Sequence, residues 1–333
     1  MADGVSKFDK GNMIGYLRDF PSIVKSVIKQ EVKFPQGFAE NMTDIVILGM
    51  GGSGFIGDLL KVYRSDYPID VHVVKGYSLP KYVDKNCLVF AISYSGNTEE
   101  TISAYRSAIR RGCNVISISS GGKLEELSKM HKIPHIRVLS GIQPRLSTPL
   151  LFIPILHVLS DLKIIEPQEK IIESTVKSLK AASETVENAG KDLAGKLKGK
   201  IPIIYASSKM FCLAEKWKTD INENAKTHCF YNMFPEFNHN EICGYTNPNG
   251  NFHVVIISDT DDHEKVKKRI NVFKKTLKPY GVPVNELAIK GDNLLTRLLS
   301  TIWMGFYVSY YLAIEYETDP TPVEIIEKFK KQL

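Results

Sequence analysis

Residues 87–101 read CLVFAISYSGNTEET: six apolar residues, then two serines, a glycine, an asparagine and a threonine ahead of two acids. An apolar run without alternation predicts a strand buried on both faces, as in a parallel sheet. The acids after Thr98 suit the first turn of a helix. Between strand and helix, the hydroxyl and amide residues admit two readings. In one, Asn97 or Thr98 caps the helix. In the other, the helix start is an anion cradle, where unsatisfied N–H groups and the positive end of the macrodipole are joined by Ser93, Ser95 and Thr98. Capping leaves Ser93 and Ser95 unexplained, so the cradle suits a phosphate monoester better.

The pattern around this stretch repeats. DIVILGM (44–50), VHVVKG (71–76), NVISISS (114–120) and HIRVL (135–139) read as further strands, with helical spacing between them. It restarts with IPIIYAS (201–207), HCFYNMF (228–234), FHVVIISD (252–259) and PVNELAI (283–289), separated by helices near 209–226, 262–278 and 292–316. The expected fold is α/β, two three-layer α/β/α sandwich domains with mainly parallel sheets, spanning 1–155 and 156–333. The tail DPTPVEIIEKFKKQL predicts a last helix opened by Asp319 and the prolines.

A second glycine-rich turn, GMGGSGFIGD (49–58), follows the first strand and lets a ligand approach the backbone of the next helix at Gly52 and Ser53. The second strand ends at Lys75 without the acid that would hold a ribose diol, which argues against a dinucleotide.

Composition excludes several classes. A net charge of +6 with 24% charged residues, dispersed among acids, does not mark a nucleic-acid binder. The five cysteines stand singly, so reduced and mostly buried thiols are expected instead of disulfides or a zinc knuckle. The polar start MADGVSKFDKGN has no signal-type core, and no window reaches the apolar length of a membrane span. A soluble cytoplasmic protein is expected.

The strand ending in S-x-S-G-x-T after an earlier G-G-S-G turn resembles the sugar isomerase (SIS) domain, and two in tandem resemble the phosphoglucose isomerase superfamily. DINENAK (220–226), FPEFNHNEICGY (234–245), QPRLS (143–147) and the DPTPVEIIEKFK tail are similar to the archaeal-type bifunctional phosphoglucose/phosphomannose isomerases. That resemblance implies interconversion of glucose 6-phosphate and mannose 6-phosphate with fructose 6-phosphate through a cis-enediolate. It implies Glu223 as the base, His239 from a neighbouring subunit at the ring oxygen, and Arg145 as enediolate stabiliser. A lysine of the last helix joins ring opening, and helical spacing puts Lys330 at the edge of a packed face, with Lys328 the alternative. Thr321 is the small hydroxyl residue that leaves room for either epimer. The cradle would comprise Gly52, Ser53, Ser93, Ser95 and Thr98. No cofactor and no metal are expected, because His228 with Cys229 and His239 with Glu241 lack a third converging ligand. A homodimer acting on a small phosphosugar, without nucleic acid or membrane, follows. The competing readings are another phosphosugar isomerase and a phosphosugar-sensing regulator. The regulator would have no use for Glu223 and His239 and would carry a helix-turn-helix, for which the first 40 residues show no convincing pair of helices.

Overall fold

Among the described residues, nine strands fall where apolar runs predict them, and every strand pair is parallel. The computed structural model describes residues 7–28 and 32–332; residues 1–6 of the polar start lie outside it. The chain forms two compact units, one Ser22–Val176, the other the described residues up to Pro21 together with those from Lys177 onward. The expected junction at 155/156 differs from this division. It falls inside a helix, Thr148–Asp161, that continues through Pro154 because its residues from Leu150 to Leu159 are all buried.

In chain order the elements are α1 (Met13–Arg18), α2 (Phe20–Ser26), β1 (Asp44–Leu48), α3 (Gly51–Tyr63), β2 (Asp70–Val74), β3 (Cys87–Ile92), α4 (Glu99–Arg110), β4 (Asn114–Ser119), α5 (Gly122–His131), β5 (His135–Arg137), α6 (Thr148–Asp161) and α7 (Glu169–Leu197). They continue with β6 (Ile201–Ser207), α8 (Phe211–Asn224), β7 (Phe230–Phe234), β8 (Phe252–Ser258), α9 (Glu264–Leu277), β9 (Val284–Ala288), α10 (Leu294–Glu315) and α11 (Glu324–Lys330).

The sheet of the first unit has the order β2-β1-β3-β4-β5. Its central strand β3 is buried throughout while the edge strand β2 is half-exposed, which is why CLVFAI is continuously apolar and DVHVV is not. The order reverses between β1 and β3, so α3 and α4 start side by side at the carboxyl edge. In open α/β sheets this crevice is where ligands bind.

The second unit carries the order β7-β6-β8-β9. The aromatic stretch 301–317 lies mostly in α10, whose Trp303, Phe306, Tyr307 and Tyr310 are buried. Two short helices do occur near the N-terminus, contrary to expectation: α1 and α2 flank Asp19, Trp303 Nε1 donates to the Leu17 carbonyl at 2.6 Å, and Phe20 stacks on Trp303. Leu17 and Phe20 are thereby tied to α10, and Phe20 also meets Phe306 edge-on. Four cysteines are buried and all five are free thiols.

The tail departs most from its reading. Helix α11 starts at Glu324, later than the prolines, and Asp319 Oδ1 instead accepts the Thr321 N–H at 2.9 Å. None of its residues is buried, and Ile325 and Phe329 are 81% and 63% exposed, so the packed face expected to orient Lys330 is absent from this helix.

Candidate active site

In the first unit the two glycine-bearing turns meet at the switch point. The Tyr94 N–H donates to Ser53 Oγ at 3.2 Å, tying the start of α3 to the loop after β3. Ser93 is fully buried; its hydroxyl lies 2.9 Å from Thr98 Oγ1 and accepts the Thr98 N–H at 3.4 Å. Ser93 therefore shapes the loop, whereas Ser95 is exposed at its tip, accepting the Asn97 N–H at 3.3 Å. Thr98 occupies the N-cap position of α4 but makes no side-chain cap bond, and Asn97 Oδ1 accepts instead from the Lys123 N–H. Side-chain capping is thus a correction to the sequence reading. The amides opening α4 are left without a capping side chain, as an anion cradle requires.

The loop's curvature depends on Gly96, at φ +73°, where a Cβ would sit 1.8 Å from the Gly121 carbonyl oxygen. Across the crevice, a Cβ on Gly52 would lie 3.0 Å from the Pro144 carbonyl oxygen, so the start of α3 abuts the turn Pro144–Leu146 that carries Arg145. Arg145 is 4% exposed, with Nη1 3.4 Å from Gln143 Oε1. Its turn is steadied by Tyr94, whose OH donates to the Leu139 carbonyl and accepts the Ile142 N–H, both at 2.9 Å. Burial pushes the Tyr94 phenol up, which keeps it a neutral donor. Gly52, Ser53, Ser93, Ser95, Thr98 and Arg145 are therefore brought to one crevice.

In the second unit Glu223 stands one residue before the end of α8, half-buried. The same helix holds a buried ion pair, Lys216 with Asp220, and Asn224 Nδ2 donates to Ser309 Oγ of α10 at 2.9 Å. Lys226, at φ +54°, turns back so that Nζ donates to the carbonyls of Glu223, Asn224 and Pro320, closing the helix C-terminus with a cation. Sequence reasoning missed these three supports. DINENAK contains them, but side-chain direction around one helical turn decides their roles.

Glu223 lines a cleft of about 1140 Å³ with Lys226, His228, Asp319, Val323 and Lys328 among others. Of the two candidate lysines, Lys328 lines this cleft and Lys330 does not. Thr321 does not line it either: a Cβ on Gly11 would lie 2.4 Å from its Oγ1, so that side chain packs on Gly11.

His239 is exposed at the end of the turn Glu236–His239, which follows the carboxyl end of β7. Glu223 lies near the opposite, amino end of β7, whose first residue Phe230 also lines the cleft. Five extended residues at about 3.3 Å each separate the two edges by roughly 16 Å. Glu223 and His239 are not brought together within this unit.

Among the described residues, one trio could converge on a metal ion: Asp44, Asp70 and His72. These lie at the amino-terminal half of β1 and β2, the far edge of the sheet from the cradle, with Asp44 Oδ1 3.0 Å from His72 Nε2 and Oδ2 taken by the Thr43 hydroxyl. No helix of the described residues is long and apolar enough to cross a membrane.

Comparison with known proteins supplies the class. Residues 40–136 match the SIS domain, and residues 186–333 match the bacterial phospho-glucose isomerase C-terminal SIS domain. A bifunctional phosphoglucose/phosphomannose isomerase from Caldicellulosiruptor bescii is 42% identical over 89% of this chain and 91% of its own. Another of the same name from Aquifex aeolicus is 38% identical over 87% and 90%. The fold is also that of the C-terminal domain of glucosamine-fructose-6-phosphate aminotransferase from Francisella tularensis, with a TM-score of 0.73 at 17% identity over 96% of this chain and 99% of that one. The chain is thus a tandem SIS-domain isomerase. It belongs to the bifunctional phosphoglucose/phosphomannose isomerase family.

Proposed function

We propose that the protein interconverts glucose 6-phosphate and mannose 6-phosphate with fructose 6-phosphate by proton transfer, without a metal ion, as a cytoplasmic homodimer. The observation that carries the reading is the crevice in which Ser53, Ser93 and Thr98 are wired together at paired helix starts with buried Arg145 beside them. That arrangement suits a phosphosugar, and a regulator has no need of the Glu223 cleft. In the reaction the cradle takes the phosphoryl group. His239 and Lys328 move the proton that opens the ring, since imidazole exchanges protons near neutral pH. The Glu223 carboxylate then removes the C2 proton, the electron pair of that C–H bond forms the C1–C2 double bond, and charge develops on the carbonyl oxygen. The Arg145 guanidinium stabilises that oxyanion. Passage of the hydroxyl proton from O2 to O1, with return of the proton from Glu223 to C1, yields the ketose. The segment around Thr321 contributes Thr318, Asp319 and Pro322 to the cleft, and Thr321 is proposed to set the space for either epimer.

The position of His239 at the opposite edge of its sheet from Glu223 favours a second copy as its source. Carboxylate, imidazole and guanidinium supply the acid–base and electrostatic chemistry, so a metal is not required by the mechanism. A coupled assay with glucose 6-phosphate and mannose 6-phosphate, each with and without EDTA, tests the proposal. Turnover of both, unchanged by EDTA, is expected. Turnover of one alone removes the dual specificity, and loss with EDTA removes the metal-free mechanism.

A further inference from the structure

His239 sits in a loop with few ties of its own, yet the residues two before and two after it are anchored. Phe237 is fully buried and lies flat on Tyr205, ring centroids 4.0 Å apart and planes within 3°. Glu241, half-buried, turns its carboxylate inward. Oε1 accepts the Tyr205 hydroxyl at 2.5 Å and Oε2 accepts Asn232 Nδ2 at 2.5 Å. Tyr205 is itself fully buried near the carboxyl end of β6, and its oxygen lies 2.7 Å from Tyr245 OH. Asn232 cannot present its amide the other way round, because Oδ1 already accepts the Met233 N–H at 2.8 Å. Both partners of Glu241 therefore come from rigid strands, β6 and β7, at the sheet edge where the His239 loop emerges. Asn240, between His239 and Glu241, caps the next turn by accepting the Glu241 N–H at 2.6 Å and donates to Glu236 Oε1 at 3.0 Å.

A half-buried carboxylate with two short hydrogen bonds is costly unless its partners are fixed, and here they are. Nothing in core packing requires a charged group at this spot, since the neighbouring cluster of Phe234, Phe237, Tyr245 and Phe273 is aromatic. The sequence alone gave Glu241 only the reading of an incomplete metal ligand beside His239. Its carboxylate is committed to the sheet instead.

We propose that Glu241 is a positioning residue for His239: clamped by Tyr205 and Asn232, it holds the backbone on which the ring-opening imidazole is carried. The inference rests on the proposed role of His239. It makes a distinctive demand, because a residue that acts only through His239 has nothing left to do once His239 is gone.

The test is a double-mutant cycle on isomerisation of glucose 6-phosphate by the full-length protein, with kcat, KM and Tm measured for each variant. Glu241→Ala is expected to lower kcat about tenfold while KM stays within about twofold, since a shift well under an ångström at a reacting group already costs this much. Glu241→Gln should restore most of kcat: its oxygen can accept from Asn232 while its amide donates to Tyr205, whose proton swings to Tyr245. With His239→Ala as background, adding Glu241→Ala should cost nothing more. If Glu241→Ala does not fold, Tyr205→Phe, which keeps the stacked ring and removes one clamp, enters the same cycle. Additive losses in kcat, or a Glu241→Ala enzyme with wild-type kcat, overturn the inference. A His239→Ala enzyme with unchanged turnover instead overturns the assignment of His239, and the positioning role with it.

Discussion

Replacing Gly96 by alanine should disable the cradle while leaving the fold. The residue sits at φ +73°, a left-handed conformation that costs a residue with a Cβ about 1–2 kcal/mol. The larger effect is steric. The new methyl would lie 1.8 Å from the Gly121 carbonyl oxygen, and since such contacts are not found below 3.0 Å the two must separate by at least 1.2 Å. Neither side can yield locally. The Gly96 carbonyl accepts the Leu124 N–H at 2.9 Å, and the Gly121 carbonyl accepts the Ser119 hydroxyl at 2.7 Å. The displacement therefore passes into Ser95, Asn97 and Thr98. Misplacement of binding groups by about 1 Å costs on the order of 100-fold in rate. Steady-state kinetics with fructose 6-phosphate should show kcat/KM reduced about 100-fold, mainly through KM, with the far-ultraviolet dichroism of the parent. Gly76→Ala, at a glycine with nothing within 4 Å of the added Cβ, should change neither. A Gly96→Ala enzyme that keeps kcat/KM within about threefold would refute the claim that this loop holds the phosphate.

The buried pair on α8 predicts a stability effect. Lys216 and Asp220 are 2% and 0% exposed, so Lys216→Met strands a buried carboxylate and should cost about 3–5 kcal/mol. That corresponds to roughly 6–20 °C in Tm by differential scanning calorimetry, whereas Lys216→Met with Asp220→Leu should recover most of it; a single variant with parental Tm would contradict this. The two lysines of α11 separate by function: Lys328→Ala should lower kcat at least tenfold and Lys330→Ala less than twofold, and the reverse order would restore the sequence-based choice. Burial holds His135, His157 and His253 below the ordinary histidine value of 6.5. In each case the unfolded chain binds the proton more readily, so their contribution is complete above pH 6.5 and falls as the pH drops through the window beneath it. Tm should decline between pH 6.5 and 5, more steeply than in a His157→Gln variant; identical slopes would remove His157 from that account.

The strands and the meeting of the two glycine-bearing turns were legible because they rest on local chemistry. CLVFAI had to be buried on both faces, and S-Y-S-G-N-T between strand and helix had few other uses. Glu223 and Arg145 were legible only through resemblance, since neither spacing nor composition marks one glutamate or arginine among many. What could not be read depends on long-range packing. Lys330 was preferred on the assumption that Val323, Ile326 and Phe329 pack inward, and the helix they form buries none of them. The first short helix and Phe20 after it are held by Trp303, nearly 300 residues away. The junction expected at 155/156 and the division of the compact units at Val176/Lys177 both lie within helices, α6 and α7, which composition alone does not tell apart. Glu241 was invisible as a support because Tyr205, its partner, is 36 residues distant in the chain.

The proton transfer assigned to Glu223 is tested most directly by incubating the Glu223→Gln variant with fructose 6-phosphate in deuterated buffer and following the C1 hydrogens by NMR, with binding measured in parallel by calorimetry. Undiminished affinity with no incorporation of deuterium is the predicted result. Deuterium entering at the rate of the parent enzyme would mean that a different group removes the proton.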